Sequence, residues 1–280
     1  MFRAVGIVGV GLLGGSLALA IKQRGLAKEI IGVAPAEFPA GLSALDVAFK
    51  LRAIDRIFVG FDDRLQELDA LVVSTPVEFI AHQIALASPF LNKNALITDV
   101  GGAKTGVVRR LFDERRFIGS HPMAGSERSG VEAASAQLFA GRTCIITPTE
   151  NTPADLIDRA TRFWEALGMT VLRLSPEVHD EVVGRTSHLP HVAASALAAL
   201  LDERDRAFVG PGLKDTTRIA AGNPALWTGI LSANKAAVLA ALQRLRMEFD
   251  AVAVALESDD RTFLQQWLTN AKRVRDALGS

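Results

Sequence analysis

Residues 3–25, RAVGIVGVGLLGGSLALAIKQRG, hold the pattern that most restricts what this chain can fold into: Gly9, Gly11 and Gly14, spaced G-x-G-x-x-G behind a short apolar run. Arg3, the apolar stretch and Ala18-Leu19-Ala20 also describe a secretory leader with a small-residue cleavage site. A leader has no use for glycines at this spacing, nor for a second apolar run, EIIGV at 29–33, directly behind it. A strand, a tight turn, a helix and a second strand account for both. The first glycine permits the turn, the second lets a pyrophosphate approach the backbone, and the third lets the helix pack closely on the strand. A helix beginning near Leu12 and stopping at Gly25 aims its unpaired amides and the positive end of its dipole at that anion. Gly9, Gly11, Leu12, Leu13 and Gly14 are therefore candidate dinucleotide contacts.

A dinucleotide site usually has an acid at the end of the second strand to bond the adenosine ribose. Here that position falls near Ala34, and the nearest acid is Glu37. No arginine or lysine lies between 34 and 49 to pair with a 2′-phosphate, which favours NAD and leaves NADP open. LDALVVSTPV (68–77), NALITDVGGAK (94–104), RFIGSHP, RTCIITP and MTVLRLS (169–175) read as further buried strands, with a helix over PADLIDRATRFWEALG. In an open parallel sheet ligands gather at the carboxyl ends of the strands, so Ser74, Thr75, Pro76, Asp99 and Gly101 join the candidate cofactor contacts. Alternating strands and helices predict an α/β domain over residues 1–174.

Beyond Ser175, which fits a helix cap ahead of Pro176, nothing reads as a strand, and residues 175–280 are expected to be all helical. Val238, Leu242, Leu245, Phe249, Val252 and Leu256 form an apolar seam stepping by four and three. A helix with such a seam must bury it, either within the chain or across the two-fold axis of a homodimer, and the dimer is the expectation here. Thirty-one basic residues balance thirty-one acidic ones, which argues against nucleic acid or an anionic membrane as a partner. The single cysteine, Cys144, excludes an internal disulfide and suits a reducing cytoplasm. No apolar run is long enough to span a membrane without glycine or charge. The chain has no tyrosine, which excludes the tyrosine–lysine catalytic pair of the short-chain dehydrogenases.

The polar residues able to do chemistry are few. His121 lies in GSHPMAGSERSG, directly behind a strand; His179, His188 and His191 lie in SPEVHDEVVGRTSHLPHVAASALAAL. His188 and His191, three apart, share a helix face, and Pro190 between them predicts a kink. They could satisfy carbonyls freed by that kink; no carboxylate at a matching step completes a metal site, and no metal is expected. Lys214 and Arg218, four apart in GLKDTTRIAAGNPALW, either face one pocket, where the arginine would clamp a carboxylate bidentately, or mark a solvated helix start.

Taken in order, GVGLLGGSLA, DVGGAK, GSHPMAGSERSG, SHLPH and GLKDTTRIA resemble the prephenate and arogenate dehydrogenases of tyrosine biosynthesis, over essentially the whole chain. The resemblance implies a Rossmann-like nucleotide-binding domain followed by an all-α dimerisation domain, with the active site between them. It implies oxidative decarboxylation of a small dicarboxylate: prephenate to 4-hydroxyphenylpyruvate, or arogenate to tyrosine. His121 then accepts a hydrogen bond from the substrate hydroxyl, Arg218 clamps a carboxylate, His188 and His191 line the pocket, and Lys214 steers or gates it. Ser126 and Glu127 orient His121 or the substrate, and Asp180 beside His179 is a weaker candidate.

Two departures stand out. Many members carry serine where this chain has Gly102, so Ser120, Ser126 or a water must take its place, or activity is reduced. The acid near Ala34 is missing. The chain stops soon after its helices, so a monofunctional enzyme is expected, with any tyrosine feedback acting at the active site. The alternatives are a β-hydroxyacid dehydrogenase, whose catalytic lysine and asparagine find no lysine counterpart on the first helix of the second half, and a nucleotide-binding protein that has lost its chemistry.

Overall fold

The computed structural model describes residues 2–35, 40–126 and 128–279. Glu37 and Glu127 lie outside the described residues, so neither the ribose contact nor the orienting role assigned to them is placed.

The strands are β1 (Phe2–Val8), β2 (Ala27–Ala34), β3 (Arg56–Val59), β4 (Ala70–Val73), β5 (Leu96–Asp99), β6 (Phe117–Pro122), β7 (Thr143–Thr147) and β8 (Thr170–Arg173). They form one sheet in the order β3-β2-β1-β4-β5-β6-β7-β8. β1 is buried without a break from Ala4 to Val8, as a central strand covered on both faces must be. Its side chains alternate between two cores. Val5 and Ile7 pack with Leu17 and Ile21 of α1 (Leu12–Gln23) and Trp164 of α5 (Ala154–Ala166). Ala4 and Val8 face Ile80 and Ile84 of α3 (Val77–Ala87) and Val107 of α4 (Thr105–Arg110). α2 (Ala40–Lys50) covers β2 and β3.

The chain runs outward from β1 through β2 to β3, then returns to the other side of β1 as β4. The order therefore reverses between β1 and β4, and that crevice is where an open α/β sheet binds its ligand. β1, β2, β4, β5 and β6 are parallel, so their carboxyl ends, carrying Gly9, Ala34, Ser74, Asp99 and His121, share one edge. β7 pairs antiparallel with β6, Pro122 opposite Cys144.

The second half is helical throughout its described residues: α6 (Pro176–Val183), α7 (Leu189–Ala199), α8 (Pro211–Thr217), α9 (Pro224–Ala233), α10 (Lys235–Glu257) and α11 (Arg261–Ala277), with short turns between them. Ser175 caps α6, its hydroxyl accepting from the Val178 amide at 3.2 Å. The kink expected at Pro190 is a π turn over Gly184–His188 just before it. Pro190 offers no amide to the Thr186 carbonyl and its ring crowds that oxygen, so the helix widens one turn earlier. Of the apolar seam only Val238 is buried, while Phe249 and Leu256 are 59% and 61% exposed. No single helix among the described residues is long and apolar enough to cross a membrane.

Candidate active site

The glycine turn is as tight as its spacing demands. Gly9 has φ +85°, a left-handed conformation in which L side chains are strained. A Cβ on Gly14 would stand 2.2 Å from the Gly9 carbonyl oxygen, so only glycine lets α1 start this close to β1. Gly11 is the N-cap of α1, has open space where a Cβ would be, and supplies no side chain to cap the helix. The first-turn amides, Leu12 and Leu13 among them, are left facing the crevice mouth. Ser74 donates its hydroxyl to the Gly9 carbonyl at 2.5 Å, and Thr75 donates to Gln83 Oε1 at 2.6 Å. The Ser74 hydroxyl thus braces the turn, the Thr75 hydroxyl ties the strand end to α3, and Pro76 is the N-cap of α3 beside them. A backbone cradle with unspent amides, walled by residues too small to fill it, fits a dinucleotide pyrophosphate.

Asp99 and Gly101, the expected cofactor contacts at the end of β5, are both buried. The Asp99 carboxylate is fully buried and paired with the ammonium of Lys104. It also accepts from the amides of Gly101 (2.8 Å) and Ser120 (3.1 Å). A buried carboxylate needs such partners, and three donors inside the protein already bond this one.

His121, at the carboxyl end of β6, meets the helical half directly. Its Nδ1 lies 2.9 Å from His179 Nε2, and His179 Nδ1 lies 2.8 Å from Asp180 Oδ1. Asp180 also accepts from the Lys104 amide at Oδ1 (2.8 Å) and the Thr105 amide at Oδ2 (2.9 Å), capping the start of α4 from across the molecule. Burial pushes the Asp180 carboxyl up, but the bonds from His179, Thr105 and Lys104 outweigh it and hold the group below the ordinary carboxylate range. An ionised Asp180 accepts from His179 Nδ1–H, His179 Nε2 then accepts from His121 Nδ1–H, and the free lone pair of His121 is on Nε2. Burial, reinforced by His179, Lys104 and His188, keeps His121 well below the usual histidine value against the pull of Asp180. The ring is neutral at pH 7 with an acceptor nitrogen in a defined tautomer.

The other expected substrate contacts divide. Ser120 is fully buried; its hydroxyl accepts from Trp164 Nε1 (2.9 Å) and lies 2.7 Å from Thr98 Oγ1. It belongs to the core, so it neither binds substrate nor stands in for a serine at 102. His188 is likewise 1% exposed. Its Nδ1 takes the Asn234 side-chain amide at 3.1 Å and its ring bonds the Gly102 backbone. Burial brings it to about 4, and it acts as a pin between the two halves rather than a pocket ligand. His191 stacks on Trp227, ring centroids 3.6 Å apart, and its buried Nδ1 has no hydrogen-bond partner among the described residues, the state of a group that awaits a ligand. Ser126 is exposed and its hydroxyl accepts from the Arg128 amide at 3.1 Å. Lys214 lies on α8 and Arg218 in the turn Arg218–Ala221, which packs on α7; both are exposed. A Cβ at Gly102 would meet nothing nearer than Ile230 at 3.8 Å, so the glycine is not a steric requirement. Sequence patterns did not indicate Lys104, Asn234 or Trp227, and left His179 as a bystander; only its adjacency to Asp180 on one helix hinted at more.

Comparison with known proteins follows this geometry. A family model of the prephenate dehydrogenase nucleotide-binding domain matches residues 17–173, and one of the prephenate dehydrogenase dimerization domain matches residues 175–270. The prephenate dehydrogenase of Bacillus subtilis is 34% identical, the match covering 97% of this chain and 75% of that protein. The cyclohexadienyl dehydrogenase of Zymomonas mobilis is 31% identical over 99% of this chain and 97% of its own. Among solved structures, prephenate dehydrogenase from A. aeolicus in complex with hydroxyphenyl propionate and NAD+ superposes with a TM-score of 0.90 at 32% identity, over 99% of both chains. Synechocystis arogenate dehydrogenase superposes at 0.82 and 28% identity, over 98% of this chain and 99% of that one.

Proposed function

The chain belongs to the prephenate dehydrogenase family, and from that premise we propose that His121 is the proton acceptor in its reaction, an NAD-dependent oxidative decarboxylation in tyrosine biosynthesis. The substrate is prephenate, giving 4-hydroxyphenylpyruvate, or arogenate, giving tyrosine. The observation that carries the role of His121 is its link to Asp180 through His179, 2.9 Å and 2.8 Å long, from which the acceptor is assigned to Nε2. When bound in the glycine cradle, NAD supplies the hydride acceptor. As the hydroxyl-bearing ring carbon becomes electron-poor, its hydroxyl proton shifts to Nε2, and Asp180 stabilises the imidazolium through His179. Loss of carbon dioxide aromatises the ring, and the proton returns to the phenolic oxygen. General-base help of this kind is worth roughly 10²–10⁴-fold.

Arg218 is the proposed clamp for a substrate carboxylate, supported by His191 on α7 and Lys214 on α8, the elements packed against its turn. Arg218→Ala raises the substrate KM about tenfold to a hundredfold, the loss of a charge-assisted hydrogen bond of ~1.5–3 kcal/mol, with kcat changed far less. A kcat loss at constant KM would reassign the residue. Initial rates with prephenate and arogenate, each with NAD+ and NADP+, test the reaction itself; no reduced nicotinamide in any combination overturns it.

The second half is proposed to form a homodimer. Its family model describes a dimerization domain, and α10, about 35 Å long by its 23 residues, leaves Phe249, Val254 and Leu256 exposed. A division near 174/175 is supported by the end of β8 at Arg173 and the start of α6 at Pro176. Each large apolar side chain buried at an interface contributes about 1.5–3 kcal/mol, doubled by two-fold symmetry. Phe249→Asp with Leu256→Asp is therefore expected to sediment as a monomer at micromolar concentration. A dimer that persists places the interface elsewhere.

A further inference from the structure

Beneath His121 lies a charged group that the reaction does not use. Lys104 is fully buried, an expensive position for an ammonium unless it is paired. Its Nζ bonds the Asp99 carboxylate and, at 2.9 Å, the carbonyl of Ser120. Asp99 in turn takes the Ser120 amide, so the pair grips both peptide groups of the residue preceding His121. The backbone amide of Lys104 bonds Asp180 Oδ1, at the far end of the His121–His179–Asp180 chain. One residue thus touches the peptide that carries the imidazole and the carboxylate that orients it.

We propose that the buried Lys104–Asp99 pair is a positioning unit for His121, holding the Ser120 peptide in register while keeping a positive charge beneath the ring. This rests on the reading of His121 as proton acceptor. The groups that face the imidazole are His179 and Asp180 on α6, His188 in the π turn, and Lys104 at the head of α4. Asp99 acts from the end of β5, through Ser120, and Cys144 on β7 is a neutral thiol pushed up by burial. Lys104 holds the His121 pKa down, and Asp99 partly balances that charge.

The test reads sign as well as size. ¹⁵N-histidine NMR follows the titration of His121, its signal assigned by its absence in His121→Asn, alongside kcat/KM against pH. Asp99→Asn takes away the balancing charge while the Ser120 carbonyl still holds the ammonium, and it moves both the titration and the acid limb of activity to lower pH. Lys104→Met removes the positive charge and moves both to higher pH, each by about one pH unit. The double variant falls between. A loosened scaffold displaces both single variants in the same sense, and that outcome, or no displacement, overturns the proposal. If Lys104→Met does not fold, Asp99→Asn alone still tests the sign. An acid limb that survives in His121→Asn overturns instead the reading of His121 as acceptor. A limb owned by His121 but insensitive to the pair overturns only the role of the pair.

Discussion

His121→Asn lowers kcat by about 10²–10⁴-fold while NAD+ affinity, measured by fluorescence titration, stays within about threefold of the unmodified protein. Asparagine is small enough for the site, and its amide donates to His179 Nε2 much as His121 Nδ1–H does across 2.9 Å. What it lacks is a nitrogen that can take a proton where Nε2 was. The positive charge that builds on the substrate carbon then has nowhere to go as the hydride departs. The cofactor is expected to be indifferent, because among the described residues no hydrogen bond joins the glycine turn to His121, His179 or Asp180. The substrate KM should change little, since the proposed carboxylate clamp is Arg218. A raised KM with preserved kcat would show that the ring binds substrate and that the proton goes elsewhere.

Asp180→Asn is the second large effect, and it acts at one remove. The carboxylate accepts three bonds, from His179 Nδ1 and from the amides of Lys104 and Thr105. An amide in its place must turn an N–H toward one of these donors. If it faces the two backbone amides less badly by donating to His179 Nδ1, the tautomers of both histidines reverse, and Nε2 of His121 becomes a donor. If it keeps its oxygen on His179, the negative charge that stabilises the forming imidazolium is still gone. In a comparable histidine–aspartate arrangement the wrong tautomer reduces turnover by about 10⁴-fold; here a loss of about 10²-fold or more in kcat is expected, with substrate KM nearly unchanged. Because Asp180 also caps α4, the melting temperature should fall by a few degrees, each charge-assisted bond being worth about 1.5–3 kcal/mol. A variant that melts early but turns over normally would leave Asp180 a purely structural cap.

Much of the fold was legible from local pattern. Continuous apolar runs marked the buried strands, and the glycine spacing marked the turn, because strand burial and backbone clearance act within a few residues. β3 escaped: it is a four-residue edge strand with an arginine at its head and only Phe58 buried, too short for a periodic signal. The antiparallel turn of β7 also left no mark, since a short buried run reads the same in either direction. Within the site, His121 stood out because it follows a strand in a glycine- and serine-rich loop. Ser120, beside it, looked equally available and is not, because Trp164, forty-four positions on, closes over its hydroxyl.

From sequence alone came the nucleotide turn, the alternation of strands and helices and the helical second half, each set by side-chain size and periodicity over short spans, while the role proposed for His121 came from the resemblance to the family. Tertiary structure alone decided how that histidine is held. Its partner His179 is fifty-eight residues away, Asn234 reaches the Asp180 carbonyl from fifty-four, and His188 proves to be a pin rather than a ligand. Hydrogen bonds between distant segments carry no periodic signature, because they depend on which polar groups folding brings within 3 Å of each other in a dry interior, where each must be satisfied.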